Sequence, residues 1–208
     1  MAMHPTPAPL FPPQPANPWL LPLRGLSVFY GCPEMPRLFH YFLPRLIRRG
    51  KRVLCFDGGN RFDPLLIARF ARRRDGDPAA YQQQIRVARA FTCFQLTELL
   101  ARAPRLLGDF PADMLMVTAL PDLYFDEDVR DGPARASFHQ ALHEIRCLQR
   151  PIAVAVFSDA TSFVTGRRSF FPALLAEAGR VWKFTVQQDQ SLTFSCEKSS
   201  RALPAAAL

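Results

Sequence analysis

Short apolar runs alternate with amphipathic helical segments along most of this chain, and this alternation constrains its fold more than any other feature. Four apolar runs, at residues 26–31, 51–59, 113–120 and 151–158, have the length and bounding turns of buried strands. Between them apolar residues recur at helical spacing, as over residues 37–49. Strands separated by helices predict an α/β fold with a mainly parallel central sheet and helices on both of its faces.

The two ends of the chain differ from this pattern. Residues 1–22 are rich in proline, which cannot donate backbone hydrogen bonds, and we expect a disordered tail there. Residues 180–186 and 191–198 are strand-like and flank a polar turn, which predicts a C-terminal antiparallel hairpin. The expected organisation is therefore a tail, one core domain over residues 23–200, and a flexible C-terminal segment over residues 201–208.

Charge and cysteine usage indicate the kind of partner and compartment. The formal net charge is +8 and the pI is about 9.8, which favour an acidic partner such as nucleic acid. The alternative is that the arginine-rich composition only reflects coding bias. The five cysteines are far apart and form no CxxC pair, which predicts reduced thiols, no metal site and a cytoplasmic location. No apolar run has the length of a membrane span, so no membrane partner is expected.

Two segments in the first half carry a family resemblance. Asp57 ends an apolar run and is followed by Phe62, Pro64 and a helical pattern. Residues 88–91 read Ala-Arg-Ala-Phe, and Gln95 and leucines follow. In order and spacing these segments resemble the core of the RecA/RadA recombinase superfamily, especially its RadA-type members.

The resemblance extends over about residues 23–200. Residues 113–129 resemble the family's Walker B strand and first DNA-binding loop, and residues 150–163 resemble the strand before its second DNA-binding loop. The resemblance implies a RecA-like fold and a role in DNA repair or recombination.

The stretch that corresponds to the family's phosphate-binding loop, which begins at Gly31, departs from it. Such a loop needs backbone N–H groups around phosphate, a lysine, and a Ser or Thr for Mg²⁺. Here Pro33 and Pro36 remove two N–H donors, and Glu34 adds negative charge. Arg37 is the only cation nearby. The sequence therefore opposes phosphate binding at this position.

Two further motif positions of the family are also changed. Gly59 stands where the family carries a glutamate that orients water, shortly after the retained Asp57. Thr118 stands where the Mg²⁺-binding aspartate would end the Walker B strand, and Asp122 lies beyond it. Three independent requirements for ATP hydrolysis are thus missing, which predicts a non-catalytic protein without a cofactor.

The counterpart of the second DNA-binding loop contains the best candidate DNA contacts. Arg167 and Arg168 could bind phosphates, and Phe170 could stack on a base. The alternative is a basic surface turn that precedes a helix anchored by core phenylalanines.

Three other polar groups have both a structural and a functional interpretation. Residues 126–131 form a loop with four acidic side chains, Asp126, Glu127, Asp128 and Asp131, which suit a solvated helix cap, a cation or a basic partner. Arg69 and residues 72–74 suit the stabilisation of a helix end or a phosphate-binding patch. His139 and His143 share a helix face, but no third metal ligand is evident and no metal is predicted.

The resemblance, together with the missing ATPase residues, implies an accessory protein in DNA repair or recombination with a RecA-like core. It would bind DNA, a protein partner such as a recombinase or polymerase-associated factor, or both, and would use no small-molecule substrate. One alternative is a nucleotide-dependent enzyme with a rearranged site that uses Arg37, Asp57, Asn60 and the acidic loop. The other is a protein-interaction scaffold without DNA affinity.

Overall fold

The strands and helices follow the predicted alternation. The computed structural model describes residues 21–22, 24–33, 35–73, 76–159, 167–187 and 191–199. The strands are β1 (Gly25–Tyr30), β2 (Val53–Asp57), β3 (Ile85–Arg89), β4 (Met114–Thr118), β5 (Ala153–Ser158), β6 (Arg180–Val186) and β7 (Leu192–Ser199). The helices are α1 (Met35–Ile47), α2 (Pro64–Arg72), α3 (Pro78–Gln83), α4 (Cys93–Asp109), α5 (Asp131–Leu148) and α6 (Phe170–Glu177). A 3-10 turn covers Asp122–Phe125, and the predicted tails at residues 1–20 and 201–208 lie outside the described residues.

The strands described form one seven-stranded sheet in the order β3-β2-β4-β5-β1-β6-β7. All neighbouring pairs are parallel except β6 and β7, which are antiparallel. β1 lies inside the sheet, where Gly25 pairs with Ala153 of β5 and Ser27 pairs with Arg180 of β6. The predicted mainly parallel sheet with a C-terminal antiparallel hairpin is therefore confirmed.

Helices cover both faces of the sheet. Phe39 of α1 and Ile67 of α2 are buried in one apolar cluster, which also receives Tyr81 of α3. Leu96 of α4 and Phe138 of α5 belong to a second cluster together with residues of α6. This division follows from right-handed crossovers, because the chain moves along the sheet in one direction through α1 to α3 and in the other through α4 to α6.

Local capping fixes where the helices next to the site begin. The carboxylate of Asp63 accepts hydrogen bonds from the N–H groups of Leu65 and Leu66 at 2.8 and 3.1 Å, and Pro64 is the first residue of α2. An aspartate cap followed by proline at the first helical position is a favoured start for an α-helix. None of the described helices is long and apolar enough to cross a membrane.

Candidate functional site

The carboxyl ends of β1, β2, β4 and β5 lie along one edge of the sheet, where ligands bind in open α/β folds. Asp57 and Thr118 end β2 and β4 and are paired in register. Tyr30 and Ser158 end β1 and β5 and are also paired. Asp57 and Thr118, two of the positions that the sequence singles out for nucleotide chemistry, therefore lie side by side at this edge.

Asp57 is fully buried and uses both carboxylate oxygens within the protein. Oδ1 accepts the N–H of Arg61 and Oδ2 accepts the N–H of Phe62, each at 2.9 Å. The hydroxyl of Thr118 donates to Oδ1 at 3.1 Å, and Nε of Arg89 lies 3.8 Å from Oδ2. The carboxylate therefore holds the turn between β2 and α2 in place.

Thr118 connects this carboxylate to Gly59, which stands where the resemblance implies a glutamate. Its buried hydroxyl accepts the N–H of Gly59 at 3.2 Å while it donates to Asp57. A hydroxyl has one proton and two lone pairs, so these two bonds use the donor and one acceptor site. Asp57, Gly59 and Thr118 thus form one hydrogen-bonded cluster, which we call the edge cluster.

Gly31 follows β1 with a φ of +116°, in a region that side chains rarely adopt. A Cβ at this position would overlap the backbone carbonyl oxygen of Phe184 in β6. Glycine is therefore required here by the packing of the loop against β6, without any need for phosphate. Glu34 lies outside the described residues, whereas Arg37 is exposed on α1.

Asp122 occupies a position that sequence spacing did not assign to the site. Its carboxylate accepts the Ser158 hydroxyl at 2.7 Å and the N–H of Asp159 at 3.2 Å. It therefore joins the 3-10 turn after β4 to the end of β5. The only sequence signal for this contact is that both segments follow neighbouring parallel strands.

A cleft of about 500 Å³ opens on the α1–α3 side of this edge. The exposed side chains of Arg37 and Arg61 bring positive charge to it, while the Asp63 carboxylate caps α2 beside them. It is lined by Arg37, His40, Asn60, Arg61, Phe62, Asp63, Pro64 and Leu66. The cleft is accessible, but the edge cluster turns its polar groups inward and away from solvent.

His40 lines the cleft and links α1 to the start of α2. Its Nε2 accepts the N–H of Asp63 at 2.8 Å, so Nδ1 carries the proton and donates to the carbonyl of Arg37 at 2.8 Å. Burial lowers the pKa of His40 and outweighs the opposing effects of the Arg37 carbonyl and the nearby carboxylates. The imidazole is therefore held neutral, with both nitrogens used inside the protein.

The structure corrects the assignment of Arg167 and Phe170 as DNA contacts, because both side chains are buried. The guanidinium of Arg167 donates to the carboxylate of Asp131 at 2.8 Å and to the carbonyl of Tyr124 at 2.7 Å. It also donates to the carbonyls of Asp126 and Val129. Arg167 therefore holds the acidic loop in place from the inside.

Phe170 packs in the core, where its ring stacks on Phe138 with centroids 4.2 Å apart. Arg168 is exposed, and its predicted DNA contact stays a prediction. The preceding residues 161–166 lie outside the described residues.

The predicted histidine pair does not gather further ligands. His143 lies 3.8 Å from the sulfur of Cys147, measured from Nε2. Within the part of the chain that the structure describes, no group of three or more His, Cys, Asp or Glu residues could hold a metal ion.

No protein-family model matches the chain, and no curated protein matches its sequence. Its function is therefore inferred from the fold and from the side chains described above.

Proposed function

We propose that this chain is a non-catalytic accessory protein of DNA repair or recombination with a RecA-like core, acting in the cytoplasm. It binds DNA, a recombinase or polymerase-associated partner, or both, and uses no nucleotide cofactor. The edge cluster is the observation that carries the proposal. It uses Asp57, Gly59 and Thr118 for the fold at the positions where the resemblance implies groups for ATP hydrolysis.

The order of the segments supports the RecA-like core. The segments of the resemblance correspond to β2, β3, β4 and β5, which occupy adjacent places in the sheet. Asp57 and Thr118, which match or replace the family's motif residues, end neighbouring strands. Residues that are far apart in the sequence thus meet at the edge where the resemblance implies a nucleotide.

Phosphoryl transfer requires cations on the transferred phosphate and an oriented nucleophile. Each carboxylate oxygen of Asp57 already accepts a backbone N–H group, and the Thr118 hydroxyl is bound to it. A hydroxyl is also a far weaker Mg²⁺ ligand than the carboxylate that the family carries at the Thr118 position. These features support the absence of ATP turnover.

The first test is titration of the wild-type protein with Mg-ATP, combined with a phosphate-release assay. We expect no saturable binding and no phosphate release above buffer. Asp57→Asn should lower the free energy of unfolding by about 2–4 kcal/mol, because a buried acceptor of charged hydrogen bonds is weakened. Turnover that is lost in Asp57→Asn and in Arg37→Ala would establish the nucleotide-dependent enzyme instead.

The second test separates a DNA-binding protein from a pure scaffold. Binding of labelled single-stranded and duplex DNA is measured by fluorescence anisotropy over a salt series. We expect affinity that falls steeply with salt, since phosphate contacts release counterions. Absence of binding at low salt would leave only the protein-interaction role.

A further inference from the structure

The positive charge of the chain is concentrated in one part of the fold. Residues 35–73, which form α1, β2 and α2, contain ten arginine and lysine residues and two acidic residues. One of these acids, Asp57, is buried, and the other, Asp63, caps α2. The whole chain has a net charge of +8, so this segment alone accounts for an excess of that size.

The opposite layer of the molecule has no such excess. Residues 93–177, which include α4, α5 and α6, contain eight basic and eleven acidic residues. There Arg146 forms a two-point ion pair with Glu177, with N–O distances of 2.9 and 2.7 Å. Arginine enrichment through coding bias would affect both layers alike. The uneven distribution of charge between the two faces of the sheet instead indicates a surface that is suited to bind a polyanionic partner.

Seven of the ten basic residues in residues 35–73 lie on, or directly after, two helices that contact each other, and all seven are exposed. Arg37, Tyr41 and Arg45 follow one another at i, i+4 spacing along α1, and all three are exposed. Arg37 and Arg48 are separated by about 16 Å along the helix axis. Other exposed arginines of this surface, which we call the α1–α2 face, are Arg48, Arg49, Arg69, Arg72 and Arg73.

Aromatic rings lie among these charges. Tyr41 is 45% exposed, and its ring centroid is 5.4 Å from that of Phe70 in α2. Arg45 and Arg48 donate hydrogen bonds to the carbonyls of Tyr41 and Pro44, which keeps their charged groups beside the rings. These five side chains line a depression of about 140 Å³. A half-exposed ring flanked by guanidinium groups is suited to stack on a base while the arginines bind phosphates.

We propose that the α1–α2 face binds single-stranded nucleic acid. Tyr41 stacks on an unpaired base, and arginines from both helices contact the backbone on either side. The inference rests on the proposed function, because it assigns the surface that meets the nucleic-acid partner. Single strands are favoured over duplex because the aromatic ring has a use only where a base is unstacked.

The test compares two double charge reversals by anisotropy with a labelled oligothymidine strand. Arg45→Glu with Arg48→Glu changes the α1–α2 face. Arg102→Glu with Arg105→Glu, at two exposed positions of α4 with the same spacing, is the matched control. We expect the first variant to weaken binding at least tenfold, with a salt slope lower by about 0.7 for each phosphate that is no longer neutralised. The control should bind within about twofold of wild type.

A third variant tests stacking separately from charge. Tyr41→Ala should weaken binding of the single strand by roughly fivefold to a hundredfold, while Tyr41→Phe should retain it. The neutral variant Arg45→Gln with Arg48→Gln, whose folding is checked by circular dichroism, shows whether reduced binding results from lost charge or from loss of folding. It should also weaken binding, by less than the charge reversal.

Several outcomes would overturn the inference. If both double reversals reduce binding equally, or if neither does, the α1–α2 face is rejected as the binding surface while the proposed DNA role is retained. Duplex bound as tightly as single strand, with Tyr41→Ala unchanged, rejects the single-stranded partner. Poly-glutamate that competes as well as oligothymidine at equal charge rejects a nucleic-acid partner. If the wild type binds no nucleic acid at low salt, the DNA role and this inference fail together.

Discussion

At the scale of single residues, Gly31 shows how packing can require a residue that is typical of phosphate-binding loops. Its positive φ and its approach to the Phe184 carbonyl join the loop after β1 to β6. Asp57 and Thr118 follow the same principle, since their polar atoms satisfy the backbone and one another. The presence of a residue that also occurs in a catalytic motif is therefore not evidence of catalysis, because the fold itself can require that residue.

Gly31→Ala provides a direct test of this packing role. The added methyl group would overlap the Phe184 carbonyl at a φ of +116°, so the loop or the strand must shift. We expect the free energy of unfolding, measured in urea, to fall by about 2–4 kcal/mol. Gly50→Ala is the control, since its φ is +69° and a Cβ there meets nothing within 4 Å. It should cost about 1 kcal/mol, and equal losses in the two variants would contradict the packing role.

At the scale of elements, α1 and α2 depend on His40, whose neutral imidazole joins Arg37 to Asp63. Protonation would place a hydrogen on Nε2, directly against the N–H group that it now accepts. The connection between the helices therefore exists only while the imidazole is neutral, which couples the packing of the two helices to pH.

This coupling predicts that stability falls with acid. Burial holds the pKa of folded His40 below its ordinary value of 6.5, so the unfolded chain binds the proton first. The free energy of unfolding should be constant with respect to His40 above pH 6.5. It should then fall as the pH drops below that value, by at most about 1.4 kcal/mol per pH unit.

The measurement is urea unfolding from pH 7.5 to 5, a range that lies above the lowered pKa values of the Asp113 and Glu177 carboxylates. His40→Gln should remove the His40 component of the slope, and His139→Gln, on an exposed face of α5, should leave it intact. A slope that persists unchanged in His40→Gln would show that other groups are responsible.

Sequence periodicity predicted the positions of the strands and helices better than it predicted the contacts of their side chains. The strand and helix patterns and the final hairpin are confirmed, because they depend on local spacing. The short helix α3 was not predicted, although Asp77 caps it through the N–H groups of Ala79 and Ala80. Its six residues are too few to show a helical period.

The candidate site was predictable only in outline. The order of the strands places Asp57 and Thr118 beside each other at one edge of the sheet. Their mutual hydrogen bond could not be read from a pattern, because the two residues belong to separate strands. The assignment of Arg167 as a DNA contact failed for the same reason. Most of its acceptors are backbone carbonyls of a loop distant in sequence, and the direction of a carbonyl cannot be read from residue types.

At the scale of the whole molecule, the packing of helices on both faces of the sheet determines which thiols are accessible. Of the five cysteines, Cys32, Cys55 and Cys93 are buried, and Cys147 and Cys196 are exposed. Burial raises the pKa of both Cys55 and Cys93, which further suppresses their reactive thiolate form. The predicted reduced thiols thus divide into a protected and an open set.

Ellman's reagent should therefore modify two thiols of the native protein rapidly and all five cysteines after denaturation. The reason is that the reagent must reach the sulfur atom, and among the five cysteines only Cys147 and Cys196 are exposed in the fold. Cys147→Ser with Cys196→Ser should lose the rapid phase entirely. Rapid reaction of a third thiol in the native protein would mean that the helices on one face of the sheet separate from it readily.

The position of β1 inside the sheet has a consequence for synthesis on the ribosome. Both strands that flank β1 come late in the chain, whereas β2 lies between β3 and β4, which soon follow it. As the chain emerges from its N-terminal side, β2, β3 and β4 can pair first, while β1 waits with both backbone edges open. The apolar strand that begins the core thus waits longest for its neighbours, and the delay makes it the segment most exposed to chaperones in the nascent chain.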